Sequence, residues 1–174
     1  EWRGHKMKMT RDTVFIIEGL HALNPVLLPP GLDQHMVFKL YVSPLLPLNL
    51  DDHNRIPSSY LRLLRRIVRD YEGRGATVER TIGMWDSVRA GEEKWIFPFQ
   101  GLADAMFNSA LLYELGVIRE QVMPILEQVP ERAPEYSEAS RLRKFLTYFR
   151  GIPDEQVPPS SLLREFAGGS VFGH

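Results

Sequence analysis

Thr13-Val14-Phe15-Ile16-Ile17 is the stretch on which the fold turns. Five β-favouring residues stand in a row ahead of Glu18-Gly19. A run that is apolar on both faces reads as a strand buried on both sides, the kind found in parallel sheets covered by helices. A second strand is predicted at Val37-Phe38-Lys39-Leu40-Tyr41-Val42, ending at Ser43-Pro44. Ala105 to Ser109 and Leu111 to Glu114 are weaker strand candidates. Between the first two strands, Pro25, Pro29 and Pro30 limit any helix to a short turn.

Helical spacing accounts for most of the rest. Tyr60 to Tyr71 reads as a helix. Thr77 is a cap candidate for another helix, running through Trp85 to about Ala90. Val78, Ile82, Trp85 and Val88 would be its buried stripe. A helix from about Val117 to Gln128 is ended by Pro130, and a longer one spans Glu135 to Phe149. The tail holds Pro153, Pro158 and Pro159, with a turn of helix at Ser161 to Phe166 capped by Ser160. Strands separated by helices predict an α/β fold with a mainly parallel sheet flanked by helices. Ligands in such sheets bind beyond the strand C-termini, which places Glu18 and Ser43 at the functional edge.

Composition narrows the function. The 174 residues are 44% hydrophobic and 25% charged, with a net charge of -1, so no global field points to nucleic acid or an anionic membrane. The absence of cysteine excludes a disulfide framework, a cysteine-ligated zinc and a thiol nucleophile. No run approaches the roughly 18 apolar residues of a membrane span. No apolar stretch follows Glu1-Trp2-Arg3-Gly4-His5-Lys6 as it would in a secretory signal. The expectation is a soluble, cytoplasmic domain or a piece of one.

The segment Leu61-Arg62-Leu63-Leu64-Arg65-Arg66-Ile67-Val68-Arg69-Asp70 carries the strongest chemical signal. Arg62, Arg65, Arg66 and Arg69 fall on one side of a helix and the apolar residues on the other. From His53 to Arg74 there are six arginines against two acids, Asp70 and Glu72. Like charges side by side repel, whereas a solvated face normally mixes signs. The arginine fork suits phosphate oxygens and stays charged at any relevant pH. Two readings stand together: a phosphate site, or a solvated face whose acids come from elsewhere in the fold. RNA binding is disfavoured, because no aromatics interleave the arginines and the net charge is near zero.

Other chemistry has little support. Glu18, at a strand end, is placed to reach a Mg²⁺ through water, or to cap a helix or pair with a basic side chain. His5, His21, His35, His53 and His174 are scattered, with no H-E-x-x-H spacing. Asp51-Asp52-His53 is read as a polar loop ahead of a cation site. There is no G-x-S-x-G nucleophile turn. Trp85, Trp95, Phe97, Phe99 and Met106 are expected in the core. The phosphate-cradling G-x-x-x-x-G-K-[ST] loop is absent; Gly168 to Gly173 matches its glycine spacing by chance and is followed by His174.

Several segments together resemble the C-terminal half of uridine kinase and phosphoribulokinase-like P-loop kinases. They are Val14-Phe15-Ile16-Ile17-Glu18-Gly19-Leu20 and Arg65-Arg66-Ile67-Val68-Arg69-Asp70 with Arg74-Gly75. Asp52 to Ile56, Gly91 to Lys94, Ile96 to Gln100 and Ala103 to Ser109 resemble a bacterial nucleoside-kinase branch. The resemblance implies a partial P-loop core over residues 1–129, with a mobile lid at about 53–90, and a helical tail over 130–174. It implies transfer of the ATP γ-phosphoryl to a nucleoside 5′-hydroxyl, with ATP and Mg²⁺ as cofactors. Arg66, Arg69 and Arg74 match the lid arginines that stabilise the transferring phosphoryl group, and Glu18 matches the acid near Mg²⁺. Arg62 and Arg65, on the same face, are expected against the nucleotide.

Two positions depart from the pattern. Ala76 stands where the family often has a further arginine, and Met84 where uridine kinases carry a glutamine near the nucleoside. The P-loop and the catalytic aspartate lie upstream of the Glu-Gly motif in that family, and Trp2 to Lys6 reads as the run into the motif strand. The expectation is an inactive C-terminal fragment whose substrate is a nucleoside or other small phosphate acceptor, with no nucleic-acid or membrane partner and homo-oligomerisation left open. A kinase-derived binding or oligomerisation module without catalysis is the alternative. Its partner surface would be the helix at Glu135 to Phe149 and the proline-rich tail.

Overall fold

A computed structural model describes residues 10–172 together with Gly4 and Lys8. His5, His174 and most of the Trp2 to Lys6 run lie outside the described residues.

Thr13 to Ile17 is not a strand. The segment pairs with no strand among the described residues, and Val14, Ile16 and Ile17 are almost fully exposed, Ile16 at 92%. A strand exists through its ladder partners. Apolar composition asks for burial without supplying the neighbour, and none is present among the described residues.

The sheet lies further along. Strand β1, Leu40–Ser43, runs parallel to β2, Ala105–Asn108, with Leu40 opposite Ala105 and Ser43 opposite Asn108. The described residues thus form an α/β protein with a small parallel sheet. β1 starts three residues later than its apolar run, because Asp33 and Gln34 draw Gln34–Met36 into a 3₁₀ turn whose first carbonyl holds the Val37 N–H. The Asp104 carboxylate then takes the Lys39 N–H at 2.7 Å. Asn108 ends β2: its side chain accepts from Leu45 N and Ala110 N and donates to Leu45 O. Leu111 to Glu114 is therefore a turn into the next helix and not a strand.

Helix α1, Ser58–Arg74, buries Leu61, Leu63, Leu64, Ile67 and Val68, the stripe opposite the arginines. Gly75 ends it in the left-handed region at φ 59°, where a Cβ would be strained. Helix α2, Val78–Gly83, is capped by Thr77 Oγ1, which accepts from Arg80 N at 3.3 Å. The expected single helix breaks at Met84, after the poor helix former Gly83, and restarts as α3, Trp85–Trp95. Helix α4 covers Glu114–Leu126 and α5 covers Tyr136–Leu146, shorter than the stretch to Phe149. The last helix, α6, spans Arg164–Ala167; Ser161, not Ser160, lends it an oxygen, accepting from Leu163 N.

The core is helical. Leu61, Leu64 and Ile67 of α1 pack with Val78 of α2, Ile118 and Val122 of α4, and Leu142 and Leu146 of α5. Val157, Leu163 and Phe166 of the tail belong to the same cluster, so the apolar face of α5 and the tail are covered within the chain. Gly116 lets the segment after α5 approach α4: a Cβ there would meet Arg150 O at 2.8 Å, and Ile152 N donates to Gly116 O at 3.1 Å. Arg164 folds the tail onto itself by donating to the carbonyls of Asp154, Val157 and Gly168.

The sheet stands outside this core. Leu40, Val42, Met106 and Phe107 are each about half exposed. Trp95, Phe97 and Met106, expected inside, are exposed, Phe99 is partly buried, and Trp85 packs at the edge of the core. No helix among the described residues is long and apolar enough to cross a membrane.

Candidate functional site: the arginine face of α1

The five arginines from Arg62 to Arg74 are held in three different ways. Arg62 turns toward α3 and forms an ion pair with Glu92. Its guanidinium carbon lies 5.9 Å from the Trp85 ring centre and 5.7 Å from that of Phe97. Burial lowers the Arg62 pKa below the usual arginine value; Tyr41 opposes that shift and Arg89 adds to it.

Arg65 turns the other way. It pairs with the fully buried Glu114 at the start of α4 and donates to the Ser109 carbonyl at 2.9 Å. Glu114 also accepts from Leu111 N at 3.1 Å, and Arg65 lies over the Phe166 ring at 5.4 Å. One buried pair thus ties α1 to the end of β2, to α4 and to α6. For Arg62 and Arg65 the acids come from elsewhere in the fold.

The remaining three gather at Asp70. Arg66 Nε donates to Asp70 Oδ2 at 3.1 Å, and Arg74 Nη1 donates to Oδ1 at 3.0 Å. Arg69 Nε stands 3.9 Å from Oδ1, near but not hydrogen-bonded. Asp70 is buried, whereas the Arg69 and Arg74 side chains are 44% and 58% exposed. Three guanidiniums share one carboxylate, and two of them reach solvent. For these three the acid, Asp70, lies on the arginine helix itself. The arrangement can accept two or more anionic oxygens without losing its carboxylate anchor.

Glu18 follows the unpaired Thr13 to Ile17 run and is exposed. Among the described residues no group of three or more His, Cys, Asp or Glu side chains is placed to hold a metal ion. The Asp51 carboxylate closes its own loop, accepting from His53 N and Asn54 N, both at 2.8 Å, and from Asn54 Nδ2. Those bonds, led by the Asn54 side chain, lower its pKa.

Ala76 lines a hollow of about 520 Å³ with Tyr71, Thr77 and Gln128, beside the end of α1. Met84 is exposed at the α2–α3 joint.

Sequence reasoning passed over Asp70, Glu92 and Glu114 as partners. Asp70 was legible: it sits four residues after Arg66 and four before Arg74, the spacing of helical ion pairs. Glu92 and Glu114 lie 30 and 49 residues from their arginines and carried no local signal.

No known protein family, curated protein or solved structure matches this chain.

Proposed function

We propose that the Arg66, Arg69 and Arg74 cluster binds the phosphates of a nucleotide, and that the chain is the lid-bearing part of an ATP-dependent nucleoside kinase. The observation that carries the reading is the imbalance at Asp70: three guanidiniums, one buried carboxylate, two side chains open to solvent. Phosphoryl transfer spreads charge over the moving oxygens, and cations placed beforehand stabilise it. Each charge-assisted hydrogen bond contributes about 1.5–3 kcal/mol. Arg66 and Arg74, both hydrogen-bonded to Asp70, are the preorganised members; Arg69, 3.9 Å from the carboxylate, is free to close on a ligand. Glu18 is assigned to Mg²⁺ by resemblance.

The sequence contains no G-x-x-x-x-G-K-[ST] loop, so the reading assigns the phosphate cradle to residues outside it. The test is phosphotransfer from ATP to a panel of nucleosides, measured for the full gene product and for the 174 residues alone. Turnover is expected for the first only. In the full product, Arg66→Ala with Arg69→Ala is expected to lower kcat at least 100-fold, and unchanged kinetics would reject the assignment.

The half-exposed sheet favours a second reading, a binding module without catalysis. Leu40, Val42 and Phe107 share one face of the sheet and are half exposed, an apolar patch of the kind that marks contact with another polypeptide. Absence of phosphotransfer by the full product would favour it.

A further inference from the structure

Helix α3 is attached to the rest of the molecule in an unusual way. Among the described residues of α3, Glu92 is the buried one. It is held by Arg62 of α1, whose guanidinium lies between the rings of Trp85 and Phe97. No apolar side chain between Met84 and Leu102 is fully buried: Met84, Trp95, Phe97 and Leu102 are exposed, and Val88, Ile96 and Phe99 are partly so. Trp85, which packs at the edge of the core, is the inner end of the segment. Surface helices are normally fixed by burying an apolar face. Here a charge pair stands at the point of attachment.

Arg62 also stands one helical turn before Arg66, so the two side chains leave the same helix from adjacent turns. An anion seated on Arg66 and Arg69 is within one turn of Arg62. A polyphosphate that spans this turn competes with Glu92 for the Arg62 fork. Once Arg62 is taken, Glu92 is left as a buried carboxylate without a partner, which is strongly unfavourable. The relief is for Glu92 to swing into water and carry α3 with it.

We infer that the Arg62–Glu92 pair is a latch: it holds Met84 to Leu102 against α1, and a polyphosphate bound along the arginine face opens it. The inference rests on the reading of that face as a phosphate site. Glu92 occupies Arg62 in the free protein and the ligand displaces it, so occupancy of the site and the position of α3 are coupled. The coupling is reciprocal: weakening the latch tightens polyphosphate binding.

The experiment uses the whole chain with Trp2→Phe and Trp95→Phe, so that Trp85 reports alone. Tripolyphosphate is titrated at constant ionic strength while Trp85 emission, acrylamide quenching and binding heat are followed. Tripolyphosphate is expected to raise quenching at least twofold. Glu92→Gln is expected to show that higher quenching without ligand and to bind tripolyphosphate at least fivefold more tightly. Glu93→Gln, which alters an exposed pair with Arg89, is expected to change both by less than twofold.

Binding without any response of Trp85, or equal tightening by Glu92→Gln and Glu93→Gln, would overturn the latch and leave the phosphate site standing. Absence of tripolyphosphate binding by every form would overturn both. Should Glu92→Gln lose its helical circular dichroism, Arg62→Lys decides. It keeps the charge but not the fork, and it is expected to free Trp85 at least twofold; unchanged quenching would overturn the latch.

Discussion

Arg66 and Arg74 sit one helical turn to either side of Asp70 and donate to its two carboxylate oxygens, at 3.1 and 3.0 Å. The carboxylate fixes both arginines and neutralises only one. Asp70→Asn removes the shared charge from a buried position. It is expected to lower the unfolding free energy by about 1–3 kcal/mol, measured in urea, because the guanidiniums lose a charged acceptor. A change below about 0.5 kcal/mol would show that the cluster is not organised by Asp70.

The Arg65–Glu114 pair is a sharper stability test. Glu114 is fully buried, so Glu114→Ala leaves a guanidinium without its partner and is expected to cost about 3–5 kcal/mol. Replacing both partners together, Arg65→Met with Glu114→Leu, is expected to cost less than Glu114→Ala alone. Urea unfolding of the single and double variants measures the difference. A double variant less stable than the single would mean that the pair does more than satisfy two buried charges.

Glu72 gives a pH signature. Burial, and then repulsion from Asp154, raises its pKa above the usual glutamate value. Raised in the folded state, the carboxyl is better accommodated protonated. The charged form therefore destabilises the fold above the folded pKa, and the penalty vanishes below the unfolded one. Glu72→Gln is expected to stabilise at pH 7 by on the order of 0.5 kcal/mol, the scale of an exposed charge. The gain is expected to fade as pH drops through the carboxylate range. Thermal unfolding between pH 7 and pH 4 follows it; a gain that grew as pH fell would contradict the sign.

The Thr13 to Ile17 run sets up an association test. Four exposed apolar residues in a row, Val14 to Ile17, form a sequence prone to strand pairing between chains. Ile16→Lys is expected to leave unfolding midpoints unchanged and to reduce light scattering in concentrated solution. A large loss of stability would show that Ile16 is buried in the folded chain.

The same run shows how far the sequence carries. Helical periodicity marked α1, α2, α4 and α5 because a helix satisfies its own backbone, and its apolar stripe needs only some surface to meet. Strands need a named neighbour. Ala105 to Asn108 found one in Leu40 to Ser43, whereas Thr13 to Ile17, the more apolar segment, found none among the described residues. The arginine face was legible as a face, but its division was not. Asp70 shares the helix and its spacing betrays it; Glu92 and Glu114 arrive through the tertiary fold and no local pattern announces them.

The central claim is that the charge surplus at Asp70 receives phosphate. Titration calorimetry of the chain with tripolyphosphate, at constant ionic strength, tests it directly. The expected result is saturable binding at one site, weakened at least tenfold by Arg66→Ala with Arg69→Ala, as the loss of about 1.5–3 kcal/mol per charge-assisted bond requires. No binding, or the same affinity in the double variant, would contradict the claim.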